Sequence, residues 1–142
     1  MSSKLFTLIV VSGLLVGLGV APLGAQTNLL VKANIPFEFM VGSKTLPAGE
    51  YTVTPQIAPG LLSIRNEETR DSAFALTNSV ETLGYSDQTK LIFHRCGNQY
   101  FLSQIWTLGA TAGRELPKSK VEREASQTAS IERQNVTILA MR

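Results

Sequence analysis

The chain reads as a mainly β protein: a single antiparallel β-sandwich or partly closed β-barrel with one short surface helix near its C-terminus. Three observations predict this. Residues 29–41 place an apolar side chain at every odd position, the period of a strand with one buried face. Short runs rich in Val, Ile, Phe, Tyr and Thr recur along the chain, separated by Pro, Gly and Asn. Only Leu116–Ala125 combines a helix start signal with charges at helical spacing.

The stretch before the first strand is an address. Lys4 gives a basic start, residues 5–21 carry no charge, and Leu23-Gly24-Ala25 ends the segment before Gln26. This is the layout of a secretory signal peptide, with residues 1–25 as the leader and 26–142 as the exported β-rich domain. Gly13, Gly17, Gly19 and Pro22 weaken a spanning helix, and no basic cluster follows as a stop-transfer signal; a retained membrane anchor is the alternative. The absence of a cysteine at the cut excludes a lipid tether there.

In the run 29–41 the buried set is Leu29, Val31, Ala33, Ile35, Phe37, Phe39 and Val41. Pro36 cannot donate to a ladder, so it implies an edge position or a bend dividing the run into two strands. Val41-Gly42-Ser43-Lys44 and Pro47-Ala48-Gly49 read as turns. Glu50–Thr54 follows as a strand with Tyr51 and Val53 on one face. Leu61–Arg65 is another, with Leu62 and Ile64 inward. The polar Asn66–Asp71 makes a turn, Ala73–Leu76 a further strand, and Asn78–Thr89 a looser polar stretch.

The clearest hairpin is 90–107. Lys90–Arg95 and Tyr100–Trp106 flank Cys96-Gly97-Asn98-Gln99, and Gly-Asn is a favoured two-residue hairpin loop. This register pairs Arg95 with Tyr100, His94 with Phe101 and Phe93 with Leu102. Leu91, Phe93, Tyr100, Leu102 and Trp106 then share the face expected to pack on the odd face of 29–41. Gly109–Gly113 reads as a flexible connection. The helix 116–125 starts either at Pro117, in its first turn, or slightly later through the capping box Ser119-Lys120-Val121-Glu122. Its apolar stripe of Leu116, Val121 and Ala125 is thin, so it belongs on a surface. Val136–Met141 closes the chain as a strand.

Several segments together are distinctive: Ala33-Asn-Ile-Pro-Phe-Glu-Phe, Leu46-Pro-Ala-Gly-Glu-Tyr-Thr-Val, Lys90-Leu-Ile-Phe-His-Arg, Tyr100-Phe-Leu-Ser-Gln-Ile-Trp and Gly113-Arg-Glu-Leu-Pro-Lys-Ser. The chain resembles a family of small, exported, uncharacterised proteins from soil bacteria. The resemblance spans most of residues 26–142. It implies a secreted or periplasmic β-rich domain and transfers no catalytic residue.

Composition narrows the function classes. The formal net charge of +2 falls to about +1 without Lys4, which disfavours nucleic acid as partner, because phosphate binding needs a concentrated basic face. Cys96 is the one cysteine and cannot form a disulfide within the chain; it reads as a packing residue near a turn, with an intermolecular bond or a reactive thiol as the other roles. His94 is the one histidine, set opposite Phe93 beside Ile92 and Phe101, and reads as a half-buried strand residue. Glu67, Glu68 and Asp71 lack the alternating pattern of a calcium loop. Arg114, Lys118, Lys120 and Arg123 are offset by Glu115, Glu122 and Glu124. Asn135-Val136-Thr137 matches a glycosylation acceptor, read as coincidence in a bacterial chain. No phosphate loop or G-x-S-x-G elbow occurs, and neither Ser103 nor Ser119 has a local partner pattern for nucleophilic catalysis.

No catalytic, cofactor-binding or metal-binding residue is therefore assigned, and no cofactor is expected. The leading expectation is a non-enzymatic module, periplasmic or extracellular, that binds a protein partner or contributes to an envelope assembly. The first alternative is a barrel carrying a small apolar ligand among Tyr51, Phe74, Phe101 and Trp106. The second is an exported enzyme using His94 or Cys96.

Overall fold

The computed structural model describes residues 30–128 and 133–142; the expected leader, residues 1–25, lies outside the described residues. Two sheets face each other. The first has the order β1-β4-β5-β6, formed by Val31–Ile35 (β1), Gly49–Pro55 (β4), Leu61–Asn66 (β5) and Ser72–Leu76 (β6). The second has the order β11-β8-β9-β10-β7, formed by Gln134–Leu139 (β11), Lys90–Cys96 (β8), Gln99–Trp106 (β9), Ala112–Glu115 (β10) and Asn78–Glu81 (β7). Phe39–Val41 (β2) and Lys44–Leu46 (β3) form a small hairpin joined to β9. The architecture is a sandwich and not a closed barrel. The sheets are antiparallel apart from one pairing, the parallel contact of β2 with β9 at Met40 and Phe101.

The bend predicted at Pro36 splits the alternating run between the two sheets. β1 ends at Ile35 in the first sheet, and β2 begins at Phe39 against the second. The odd-numbered side chains keep facing inward across the break: Val31, Ala33, Ile35, Phe39 and Val41 are buried. Tyr51, Val53, Leu62 and Ile64 join them from the first sheet, and Leu91, Phe93, Leu102 and Ile105 from the second. Phe39 stands edge-on to Tyr51 (5.0 Å) and to Phe93 (5.4 Å), so aromatic contacts tie the layers together.

The two sheets are also joined by backbone. Lys32 and Met141 exchange two hydrogen bonds of 2.8 Å, linking β1 to the chain just beyond β11. At another corner the chain passes from β6 to β7 through Thr77. Its N–H and hydroxyl both donate to the Gly60 carbonyl, at 2.9 and 2.7 Å.

The hairpin register is the expected one. His94 pairs with Phe101, Arg95 with Tyr100 and Phe93 with Leu102, and Gly97 adopts φ 62° in the loop. Beyond Leu102 the register shifts. Phe93 faces Leu102, but Ile92 faces Gln104, so Ser103 is an extra residue, a β-bulge. The shift corrects one expectation. Ile105 takes the inward position, and Trp106 turns to the outer face, where its Nε1–H donates to Gln104 Oε1 (2.9 Å). Two segments read as irregular also hold strands: β7 lies within 78–89, and β10 begins inside the connection 109–113.

The helix α1 spans Lys120–Thr128. It begins at the later of the two expected starts, with Ser119 Oγ accepting from the Glu122 N–H at 3.1 Å as an N-cap. Leu116 precedes the helix and belongs to the core cluster. Among the described residues, no helix is long and apolar enough to cross a membrane.

Candidate functional site

The parity of β8 decides what lies outside the sandwich. Leu91 and Phe93 point inward, so Ile92, His94 and Cys96 project from the outer face of the second sheet. On β9 the bulge places two consecutive side chains, Ser103 and Gln104, on that same side. The segment 116–126 crosses over this face. The Leu116 N–H donates to the Ser103 carbonyl (2.8 Å), and α1 packs on β8.

Three side chains meet beneath it. His94 Nδ1 lies 2.7 Å from Glu122 Oε1, and His94 Nε2 lies 3.1 Å from Ser103 Oγ. The side chains of His94 and Glu122 are 17 % and 5 % exposed, and Ser103 is 3 % exposed. In the tautomer with its proton on Nδ1, the ring donates to the Glu122 carboxylate, and Nε2 accepts the Ser103 hydroxyl proton. Among the described residues no buried side-chain polar atom lacks a hydrogen-bond partner, as low-dielectric surroundings require.

Glu122 sits at the capping-box position of the helix, yet it is also the buried residue of α1. Its side chain turns to the sheet instead of reaching back to its own helix start. The i,i+4 spacing of α1 and its approach offers Lys118–Glu122 and Lys120–Glu124 pairs; Glu122 contacts His94 instead, whereas Lys120 and Glu124 do approach, to 3.8 Å at the exposed surface. One turn further on, Ser126 Oγ donates to the Glu122 carbonyl (2.8 Å) and lies 3.5 Å from Cys96 Sγ. Arg133 Nη2 donates to the same hydroxyl at 3.2 Å. Cys96 is thus a buried packing residue beside the hairpin turn, covered by α1.

The other candidate residues separate. Glu67, Glu68 and Asp71 are exposed in a turn organised by Asn66, whose Oδ1 accepts from the Glu68 and Thr69 N–H groups at 2.9 and 3.0 Å. Among the described residues, no group of three or more His, Cys, Asp or Glu side chains is placed to hold a metal. The four aromatics considered for a ligand cavity do not converge. Tyr51 is between the sheets, Phe74 is exposed on the outer face of the first sheet, and Phe101 and Trp106 are on the outer face of the second.

Tyr51 donates its hydroxyl proton to the Pro47 carbonyl at 2.5 Å. Burial pushes its phenol above the ordinary value of 10.0; the nearby Asn66 amide opposes this, and the Asp71 charge adds to it.

Fold and site together define a two-layer β-sandwich with a helix docked on the outside of one sheet through a Ser–His–Glu hydrogen-bond chain. Comparison with protein families, with curated proteins and with solved structures finds no match to the chain.

Proposed function

We propose that this chain is an exported β-sandwich module that binds a protein partner, or a component of an envelope assembly, through the outer face of its first sheet. The observation that carries the reading is an apolar strip on β6. Phe74 and Leu76 are 64 % and 65 % exposed and alternate with the buried Ala73 and Ala75. They pair across to Ser63 and Leu61 on β5, and the exposed Ile57 lies in the preceding turn. A soluble β module has no packing reason to present two large apolar side chains on an edge strand, and such strips mark interaction sites.

The backbone edge itself is guarded. Lys44 Nζ donates to the Ser72 carbonyl, and a lysine at a sheet edge opposes uncontrolled strand addition. The recognition surface is accordingly the side-chain face of β5–β6. The carrier reading is less well supported. The space between the sheets is occupied by Tyr51, Phe39, Phe93 and the aliphatic residues around them, so a ligand there would have to displace core side chains.

The test is affinity purification of the full chain from its own cell envelope, wild type against F74S/L76S. The expected result is a stoichiometric companion with the wild type and its loss with the double variant, at an unchanged melting temperature. Equal recovery with both proteins would refute the surface assignment.

A further inference from the structure

The end of the sandwich where β8 begins and β9 ends carries a feature separate from the β6 strip. We propose that this end is a membrane-facing tip, which inserts Leu83, Tyr85 and Leu108 into the surface of a lipid bilayer. Two loops build it: 82–89 between β7 and β8, and 107–111 between β9 and β10. Each opens with the same tripeptide, Thr82-Leu83-Gly84 in one and Thr107-Leu108-Gly109 in the other. Both glycines have positive φ, 117° and 79°, so the chain turns directly after each leucine. Leu83 is 106 % exposed, Tyr85 77 % and Leu108 63 %. The loops are fastened to one another, so these side chains project from a firm base. The Thr82 N–H donates to the Thr111 carbonyl (3.0 Å), the Ser86 N–H to the Ala110 carbonyl (2.8 Å) and the Gly109 N–H to the Ser86 carbonyl (2.8 Å). The buried Thr89 accepts the Leu108 N–H through its hydroxyl at 3.0 Å.

Exposed apolar groups of this size mark interaction surfaces, and several observations favour lipid as the occupant. The side chains protrude from separate loops, a shape that a fluid surface accommodates and that a protein would have to match with pockets. Residues 82–86 and 107–111 include no charged side chain. Asp87 and Lys90, at the far end of the first loop, lie 3.6 Å apart and offset each other, so shallow insertion buries no uncompensated charge. Tyr85 suits the headgroup layer, where an apolar ring and a polar hydroxyl are both satisfied. The opposite end of the sandwich is polar: its turn 66–71 exposes Glu67, Glu68, Arg70 and Asp71. The path of the chain agrees. Leu139 pairs with Lys90 and Met141 with Lys32, so β1 also begins at the apolar end. Only residues 22–29 separate Leu30 from the uncharged run 5–21. An export signal engages a bilayer, so this connection presents the same end of the domain to lipid, a point that rests on the export reading. The tip lies on the membrane surface without spanning it.

The test is fluorescence quenching of the full chain by vesicles of phosphatidylcholine brominated in its acyl chains. Bromine quenches tryptophan on contact, so the signal locates where the domain touches lipid, with or without residues 1–25 attached. L83W and L108W should be quenched and blue-shifted, each measured against the wild type, whose Trp106 supplies the background. E68W at the opposite end and F74W on β6 should show neither effect. Quenching should persist at about 1 M salt, where charge interactions are screened beyond about 3 Å, because the attachment is apolar. Adding L108S to L83W should weaken partitioning by about 10-fold or more, the effect of one leucine no longer buried. Absence of quenching at 83 and 108, equal quenching at 68 or 74, or its loss in high salt overturns the proposal. Capture of an envelope protein that is lost in L83S/L108S, without quenching by lipid, overturns it in favour of a protein partner at the tip. The F74S/L76S comparison involves neither loop, so the partner-binding strip on β6 stands or falls separately.

Discussion

At the scale of single residues, the buried polar chain sets the largest consequences. Removing the imidazole strands a carboxylate that is almost fully enclosed. H94A should therefore destabilise the fold by about 1–3 kcal/mol, checked by denaturant unfolding, because a buried hydrogen-bonding group left without its partner is costly. Gly113 shows a different constraint. A Cβ there would lie 2.7 Å from Trp106 Cδ2 and 2.9 Å from the Ile105 carbonyl oxygen. G113A should cost about 1–3 kcal/mol by overpacking the indole against β10. Tyr51 carries a pH dependence. Its folded-state value is raised, so its contribution is complete below pH 10.0 and is lost as the pH climbs above it, when the unfolded chain ionises first. Y51F should flatten this alkaline decline in melting temperature. The sequence revealed the orientation of His94, because strand parity places it opposite Phe93. Its partners were hidden. Glu122 is 28 positions away and Ser103 nine, and only the fold brings them together.

Elements with strong local signals were the legible ones. The alternation in 29–41, the break at Pro36 and the Gly97-Asn98 loop each rest on backbone chemistry that acts over a few residues. In that loop Gly97 has φ 62° while Asn98 does not have a positive φ, the pattern of a type II′ turn. G97A should cost about 1–2 kcal/mol, measured by thermal unfolding, since an L-residue resists that φ. The bulge at Ser103 was not legible, because nothing in Leu102-Ser103-Gln104 breaks the alternation. It follows from where β9 must go. Near Phe101 its free side meets β2, and from Ser103 onward it meets the segment of β10 and Leu116. One irregular residue lets β9 serve both neighbours. That same residue moved Trp106 out of the expected core and Ile105 into it. β7 and β10 were missed because their residues are short-run and polar, and β7 reaches the sheet through its pairing with β10. The helix start was ambiguous in sequence between Pro117 and Ser119; it lies at Ser119, after Leu116 is committed to the core.

The whole molecule divides its labour between inside and outside. Aromatic and aliphatic side chains fill the layer between the sheets, while the polar chain at His94 and the apolar strip of β6 both lie on outer faces. Function in this account is therefore a property of the surfaces. That division explains why composition and motif reading found no site: each surface is assembled from residues that look ordinary one at a time. The central claim, that the outer face of β5–β6 engages a partner, is tested most directly by site-specific photo-crosslinking in intact cells. A photoreactive side chain would replace Phe74, with a control at Thr137, which is exposed on β11 of the other sheet. The account predicts one discrete crosslinked species from position 74 and none from position 137. A chain that stays uncrosslinked at 74, or gives the same products from both positions, would contradict it.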